Sequence, residues 1–277
     1  MLVNPATAGI EYIPVVALSF RKQWPGLDQS PYHLNASASL RVGNYDFYNP
    51  KMMINRSHFR NRERIGLGMG MYADQNGPQG NRGIVLAYAY HLPLDNSSVS
   101  MGLSGSMEQS LLDGTSWDPI LPDDPLLSRL KETFYTFNAN AGICYYGAEY
   151  IFGMAVNNLL PLRNKPDPSE RVKQDFILHG AYVFRSRERI SIEPSVNIRY
   201  LDYENIEYDI RAKMYIQHSH WICLSYRSYR ALNLAAGIWV KGYYLAYDFE
   251  INLTPMVHYS AGTHGIHLGM NLGMRSY

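Results

Sequence analysis

From Tyr243 to Asn252 the chain reads YYLAYDFEIN, and its character changes at every second residue. Tyr243, Leu245, Tyr247, Phe249 and Ile251 are apolar, whereas Tyr244, Ala246, Asp248, Glu250 and Asn252 are mostly polar. Successive side chains of an extended strand point to opposite faces, so a period of two marks a strand with one apolar and one wet face. The pattern recurs. Ser191, Glu193, Ser195, Asn197 and Arg199 alternate with Ile190, Ile192, Pro194, Val196, Ile198 and Tyr200. His267, Gly269, Asn271 and Gly273 alternate with Ile266, Leu268, Met270, Leu272 and Met274. A series of such strands, each about ten residues long with an aromatic-rich apolar face, is what a transmembrane β-barrel requires.

The alternation predicts about 14 strands. They lie near 15–23, 31–42, 64–73, 82–92, 98–108, 133–145, 148–156, 174–184, 190–200, 208–216, 219–227, 231–240, 243–252 and 264–275. No linker or change of composition divides them. The fold expected is all-β: a transmembrane antiparallel β-barrel over residues 15–277, with residues 1–14 as a short plug-like segment at the periplasmic mouth. Links after odd-numbered strands include the long 109–132, 157–173 and 253–263; those after even-numbered strands include the short 93–97, 146–147, 185–189, 217–218 and 241–242. In bacterial outer-membrane barrels the short turns are periplasmic and the long loops external, which puts both termini in the periplasm. The competing reading is a soluble β-sandwich or barrel with Tyr-rich surface strands.

Composition narrows the function. The 277 residues are 46% hydrophobic and carry a formal net charge of +1, which gives no electrostatic case for nucleic acid. There are 23 Tyr against 9 Phe and 4 Trp, and Tyr, apolar in the ring and polar at the tip, suits strands and membrane–water interfaces. Cys144 and Cys223 both fall on wet faces, and are expected as two unpaired thiols with no metal-ligand spacing around them. No apolar run is long enough for a transmembrane helix. The opening MLVNPATAG lacks a basic stretch followed by an apolar run, so an exported chain of this kind is read as a mature or trimmed form.

The alternation also assigns directions. Leu245, Tyr247, Phe249, Leu268 and Met270 are expected to face lipid, and Glu193, Arg199, Arg211, Lys213, Asp248 and Glu250 to form mixed-charge networks in the lumen. The wet face of one strand holds Gly66, Gly68 and Gly70, and that of another Gly102, Ser104 and Ser106. Glycine weakens a strand unless another backbone must come close. The simplest occupant is the N-terminal segment, in which Pro5 fixes the backbone, Asn4 and Thr7 can bond backbone groups, and Gly9 permits a tight bend. The alternative is that these glycines ease barrel curvature.

Residues 43–63 fall where a short turn is expected. They carry Lys51, Arg56, His58, Arg60 and Arg62 among Tyr45, Phe47, Tyr48 and Phe59, and read either as a docking surface for a periplasmic partner or as a solvated basic loop. The 109–132 link holds Trp117, Pro119, Pro122 and Pro125, a candidate platform for secreted cargo, and 157–173 is grouped with it. The bland alternative is that these loops only cap the barrel. Catalytic constellations are absent: there is no His-Glu-x-x-His, no phosphate loop and no Gly-x-Ser-x-Gly elbow. His218 and His220 share a parity near a turn, whereas His264 and His267 have opposite parity. No catalytic, cofactor-binding or metal-binding residue is assigned.

Several short elements resemble those of a known family. They are Asn4-Pro5-Ala6-Thr7-Ala8-Gly9, Arg21-Lys22-Gln23-Trp24-Pro25-Gly26, and Gly66-Leu67-Gly68 followed by Asp74 and Gly77. Next come Ala87-Tyr88-Ala89-Tyr90-His91, Glu193-Pro194-Ser195, Tyr247-Asp248 and Gly262-Thr263-His264-Gly265-Ile266. In this order the chain resembles the PorP/SprF family of outer-membrane proteins associated with the type IX secretion system of Bacteroidota. Two departures stand out: Gly265 occupies the place of an acidic residue, and Tyr277 lies off the apolar parity of the last strand. The resemblance implies a non-enzymatic role in secretion or surface attachment of type IX cargo, often large adhesins including those of gliding, or a link to periplasmic components of the machine. The partner-contact residues expected on this reading are Asn4, Pro5, Gly9, Arg56, Arg60, Arg62 and Trp117. The alternatives are a barrel that transports a small solute and, further off, a barrel enzyme.

Overall fold

Strands with a fully apolar outer face can satisfy their backbone in a membrane only by closing on themselves. The computed structural model describes residues 1–11, 13–42, 64–113, 131–164, 173–185, 190–202, 205–217, 219–240, 242–258 and 260–272. After a 3-10 turn at Pro5–Thr7 come β1 Val15–Gln23, β2 Tyr32–Val42, β3 Ile65–Asn76, β4 Gln79–Pro93, β5 Ser97–Asp113, β6 Lys131–Gly147, β7 Tyr150–Asn157 and β8 Leu162–Arg163. The chain continues through β9 Asp175–Tyr182, β10 Phe184–Arg185, β11 Ile190–Asp202, β12 Asn205–Ile216, β13 His220–Arg227, β14 Ala231–Val240, β15 Tyr243–Asn252 and β16 Thr263–Asn271. The two-residue β8 and β10 extend β7 and β9 past local breaks, which leaves fourteen full strands.

Every ladder is antiparallel. β1 pairs on one side with β2, Val15 opposite Ser39, and on the other with β16, Val15 opposite Asn271. That pairing of first strand with last, together with β9 against β11, closes the barrel. The mouth at which β1 begins is the N-terminal mouth; the opposite one is the far mouth.

Burial is inverted relative to a soluble protein. Leu103 is 65% exposed and Leu86 60%, whereas His91 is 1%, Asp248 4% and Glu250 6% exposed. Leu245, Tyr247 and Leu268 are exposed on the outer wall, with Phe249 and Met270 partly so. Aromatic side chains gather at both ends of the strands: Tyr145 against Tyr150 at the N-terminal mouth, Phe176 against Tyr200 and Tyr208 against Tyr226 at the far mouth. Such paired girdles mark the two membrane–water interfaces.

One expectation about the connections needs correction. β5 and β6 are seventeen residues each, so the link between them is 114–130 and not 109–132. At a tilt of roughly 40° and a rise of about 3.4 Å per residue, such strands span about 44 Å of axis against a hydrocarbon core of about 30 Å. This hairpin therefore stands proud of the far mouth. Among the far connections, 77–78 and 228–230 are as tight as the turns at the other end. Gly77, at φ +57°, accounts for the first of these, because a side chain there would be strained. Residues 43–63 and 114–130, with Arg56, Arg60, Arg62 and Trp117, lie outside the described residues, as do 165–172, His218 and Tyr277.

Candidate functional site: the seat of the N-terminal segment

Asn4 to Gly9 form a turn inside the N-terminal mouth. Asn4 caps it, accepting the Ala6 N–H at Oδ1 (3.0 Å), and Pro5 occupies the first helical position, where a missing N–H costs nothing. Thr7 donates its N–H (3.1 Å) and its hydroxyl (2.8 Å) to the Asn4 carbonyl. Gly9, at φ +67°, turns the chain towards β1. Asn4, Pro5, Ala6 and Ala8 are all buried.

The wall holds this turn mainly through its backbone. Asn4 Nδ2 donates to the carbonyls of Ile143 (3.2 Å) on β6 and Met154 (3.3 Å) on β7, and lies 3.0 Å from His179 Nε2 on β9. Ser100 Oγ donates to Ala6 O (2.7 Å), and Arg41 Nε to Gly9 O (2.8 Å). The Gly9 N–H goes to Ser39 Oγ (2.8 Å). His91 sits between Ala8 O (2.8 Å from Nε2) and the Tyr146 hydroxyl (2.8 Å from Nδ1). A carbonyl can only accept, so Nε2 carries the proton and Nδ1 accepts from Tyr146. Tyr146 in turn accepts from Arg41 Nη2 (2.9 Å). Arg41, Tyr146 and His91 thus form one directed chain from β2 through β6 to β4, with both ends on the segment.

Four strands give up their side chains to admit it. A Cβ at Gly66 would collide with the Ala8 carbonyl, at Gly102 with the Pro5–Ala6 peptide, and at Gly142 with Asn4 Oδ1. A Cβ at Gly153 would strike the His179 ring and come within 2.8 Å of Asn4 Nδ2. Gly68 and Gly70 leave room for Met1 and Leu2 in the same way. Two of the three buried apolar clusters among the described residues form around the segment: Ala6 with Cys144 and Tyr146, and Ala8 with Ala87 and Ala89.

The opposite wall is charged. Glu250 pairs with Arg21 (2.6 Å) and Arg227 (3.4 Å). Asp209 takes two bonds from Arg211 (2.8 and 2.9 Å). Asp248 meets His267 (2.6 Å) and Asn233 (3.2 Å), and its carboxylate fills the space a side chain at Gly265 would need. Arg199 pairs with Asp175, while Glu193 accepts from Tyr215 (3.3 Å). Lys213 lies 4.1 Å from the centroid of Trp221. Cys144 and Cys223 are not joined in a disulfide. No cluster of His, Cys, Asp or Glu suited to a metal ion occurs among the described residues.

The structure therefore brings Gly9 against Gly66, lays Met1, Leu2 and Ala8 over Gly66, Gly68 and Gly70, seats Asn4 and Pro5 on Gly142, Gly153 and Gly102, and sets Glu193, Arg199, Asp248 and Glu250 on another part of the lumen wall. Of the residues that grip the segment, His91 was legible only as the end of the Ala87-Tyr88-Ala89-Tyr90-His91 element, and Arg41, Ser100, Tyr146 and His179 were not singled out from sequence. Their one visible signal is parity: each falls on the wet face of its strand.

Comparison with known proteins completes the description. The family model described as type IX secretion system membrane protein PorP/SprF matches residues 1–270. No curated protein matches the sequence. Among solved structures, Acinetobacter baumannii outer membrane protein Omp33 is similar with a TM-score of 0.57 at 10% identity, over 95% of this chain and 100% of that one. The Ralstonia pickettii toluene transporter TbuX has a TM-score of 0.54 at 12% identity, over 98% and 92% of the two chains. The P. putida toluene transporter TodX has a TM-score of 0.51 at 9% identity, over 97% and 92%. At these identities the likeness shows the fold alone, an outer-membrane β-barrel. With the family matched along nearly its whole length, the chain belongs to the PorP/SprF family of type IX secretion system membrane proteins.

Proposed function

We propose that this barrel is a non-enzymatic part of the type IX machinery that anchors or guides a secreted surface protein, such as an adhesin, or links to periplasmic components. The observation that carries the reading is the strapped segment. A turn tied to six strands narrows the lumen along one wall and gives the mouth a fixed surface for a partner to seat on. The strap also sits where the 43–63 connection leaves and returns: Arg41 grips Gly9, and the Arg64 carbonyl accepts from the backbone of His91 (2.7 Å). Both termini are placed in the periplasm on this reading, and the raised β5–β6 hairpin carries the 114–130 link outward.

Replacing Arg56, Arg60 and Arg62 together with Ser should reduce recovery of a periplasmic partner co-purified from native outer membranes, identified by mass spectrometry, at unchanged barrel level. Truncating 114–126 should reduce surface display of cargo. Normal recovery and normal display would remove the basis for the proposal. The charged wall around Glu250 and Asp209 supports a second reading, transport of a small polar solute; conductance in planar bilayers separates the two.

A further inference from the structure

The ion pairs of the charged wall share one arrangement. The carboxylate lies against the wall, and the cation lies over it, towards the lumen. The Asp175 side chain is 8% exposed and that of its partner Arg199 46%. Asp209 is 13% exposed, under Arg211 at 48% and Arg227 at 36%. Glu250 is 8% exposed, between Arg227 and Arg21 at 20%. Asp248 is 6% exposed, beside His267 at 37%. The cause is reach. A carboxylate on a short stem is held down at the wall, as Asp248 is by Asn233 and by the space over Gly265. An arginine stem is long enough to lie across a neighbouring strand and keep its head in water. By count the four arginines balance the four carboxylates; what a solute in the lumen meets is mainly guanidinium.

Three of these cations converge. Arg227 stands between two carboxylates and holds neither closely, at 3.8 Å from Asp209 and 3.4 Å from Glu250. Asp209 also takes Arg211 (2.8 Å), and Glu250 takes Arg21 (2.6 Å). Arg211, Arg227 and Arg21 are thus linked in one row through two shared carboxylates, which leaves one positive charge in excess. Arg227 ends β13, and Arg21 lies close to the end of β1 at Gln23, so the row sits just inside the far mouth. The bonds of the N-terminal segment fall elsewhere, on β2, β4, β5, β6, β7 and β9. Across the far mouth, the carboxylates of Asp74 and Glu108 are engaged by His33 and Tyr72.

We propose that this row is a binding site for a small multivalent anion, a solute bearing phosphate or several carboxylates, that enters from the far mouth. A guanidinium carries five N–H donors in a planar fork that matches two oxygens of a phosphate or carboxylate. Arg227 supplies the central fork, and Arg211 and Arg21 flank it. The bound charge gives Arg227 the close partner it lacks and offsets the excess of the row. A polyamine would meet the guanidiniums first, with the carboxylates covered beneath them. The site sharpens the solute reading of the barrel and does not depend on the type IX reading. Binding at equilibrium is read whether or not the lumen conducts.

The test uses the full chain, purified in a non-ionic detergent at low ionic strength, where screening is weakest. It is titrated in a calorimeter with pyrophosphate, with citrate and with spermidine. The wild type is expected to bind an anion at a single site and to leave spermidine unbound; the tighter of pyrophosphate and citrate names the favoured group. Arg227→Gln is expected to weaken that binding about ten-fold or more, the loss of charge-assisted hydrogen bonds. Arg211→Gln should weaken it in the same direction, and carries the test should Arg227→Gln fail to fold. A heat-dependent gel shift verifies each barrel. Lys213→Gln, which removes a lumen cation that lies on the Trp221 ring outside the row, should bind as wild type. Failure of the wild type to bind either anion, or equal binding of spermidine, overturns the proposal. So does unchanged anion binding in the folded arginine variants, or a loss in Lys213→Gln as large as in Arg227→Gln.

Discussion

One amide ties three strands to the N-terminal segment. Asn4 uses its oxygen to cap its own turn and its nitrogen to bridge β6 and β7 beside His179 of β9. Asn4→Leu would leave the two carbonyls with one fewer donor and remove the cap, at about 1–3 kcal/mol for a buried polar group left unpaired. Gly102→Val acts from the wall, where even a Cβ meets the Pro5–Ala6 peptide. Both variants are expected to keep a folded barrel and to release the segment. A cysteine placed at Ala8, protected from a lumen-permeant thiol reagent in the parent, should become reactive in both; continued protection would show that the seat does not depend on these contacts.

At the scale of the strand, direction decides what a side chain costs. Leu234 and Asn233 are adjacent on β14, the first 60% exposed on the outer wall and the second bonded to Asp248 in the lumen. Leu234→Arg is expected to destabilise by about 2–4 kcal/mol if it lies near mid-membrane, because a guanidinium must leave water for hydrocarbon. Asn233→Arg brings the same group beside the carboxylates of Asp248 and, across the ladder, Glu250, and should cost far less. Urea unfolding of the two variants in lipid vesicles measures the difference, and equal losses would contradict the assignment of faces. The alternation made these directions legible in sequence, because the strand period is two and the membrane penalises every error of register. The breaks at β8 and β10 were not legible: the alternation carries the strand straight through 174–184, whereas its pairing with β11 lapses between Ala181 and Phe184, beside Pro194, which has no N–H.

For the whole molecule, closure and plugging are separable. The barrel closes through β1 and β16, which pair without any help from the segment. Deleting residues 1–9 is therefore expected to leave a closed barrel with a lower unfolding temperature and a larger single-channel conductance in planar bilayers. An unchanged conductance would mean that the segment does not obstruct the lumen. The amino-acid sequence alone carried the strand number, the lipid-facing positions, the row of glycines at which something must come close and the short elements shared with the family. These are local properties, set by side-chain parity and by composition within about ten residues. The grip on the segment is of another kind. Arg41, His91 and Tyr146 are 50 and 55 residues apart along the chain, and only the ladder order β2-β3-β4-β5-β6 sets them around one turn. The same holds for Asp248, which lies over Gly265 because β15 pairs with β16 in that register. Parity says that a side chain points into the lumen; which partner it meets there depends on strand order, stagger and curvature, and those exist only once the barrel has closed.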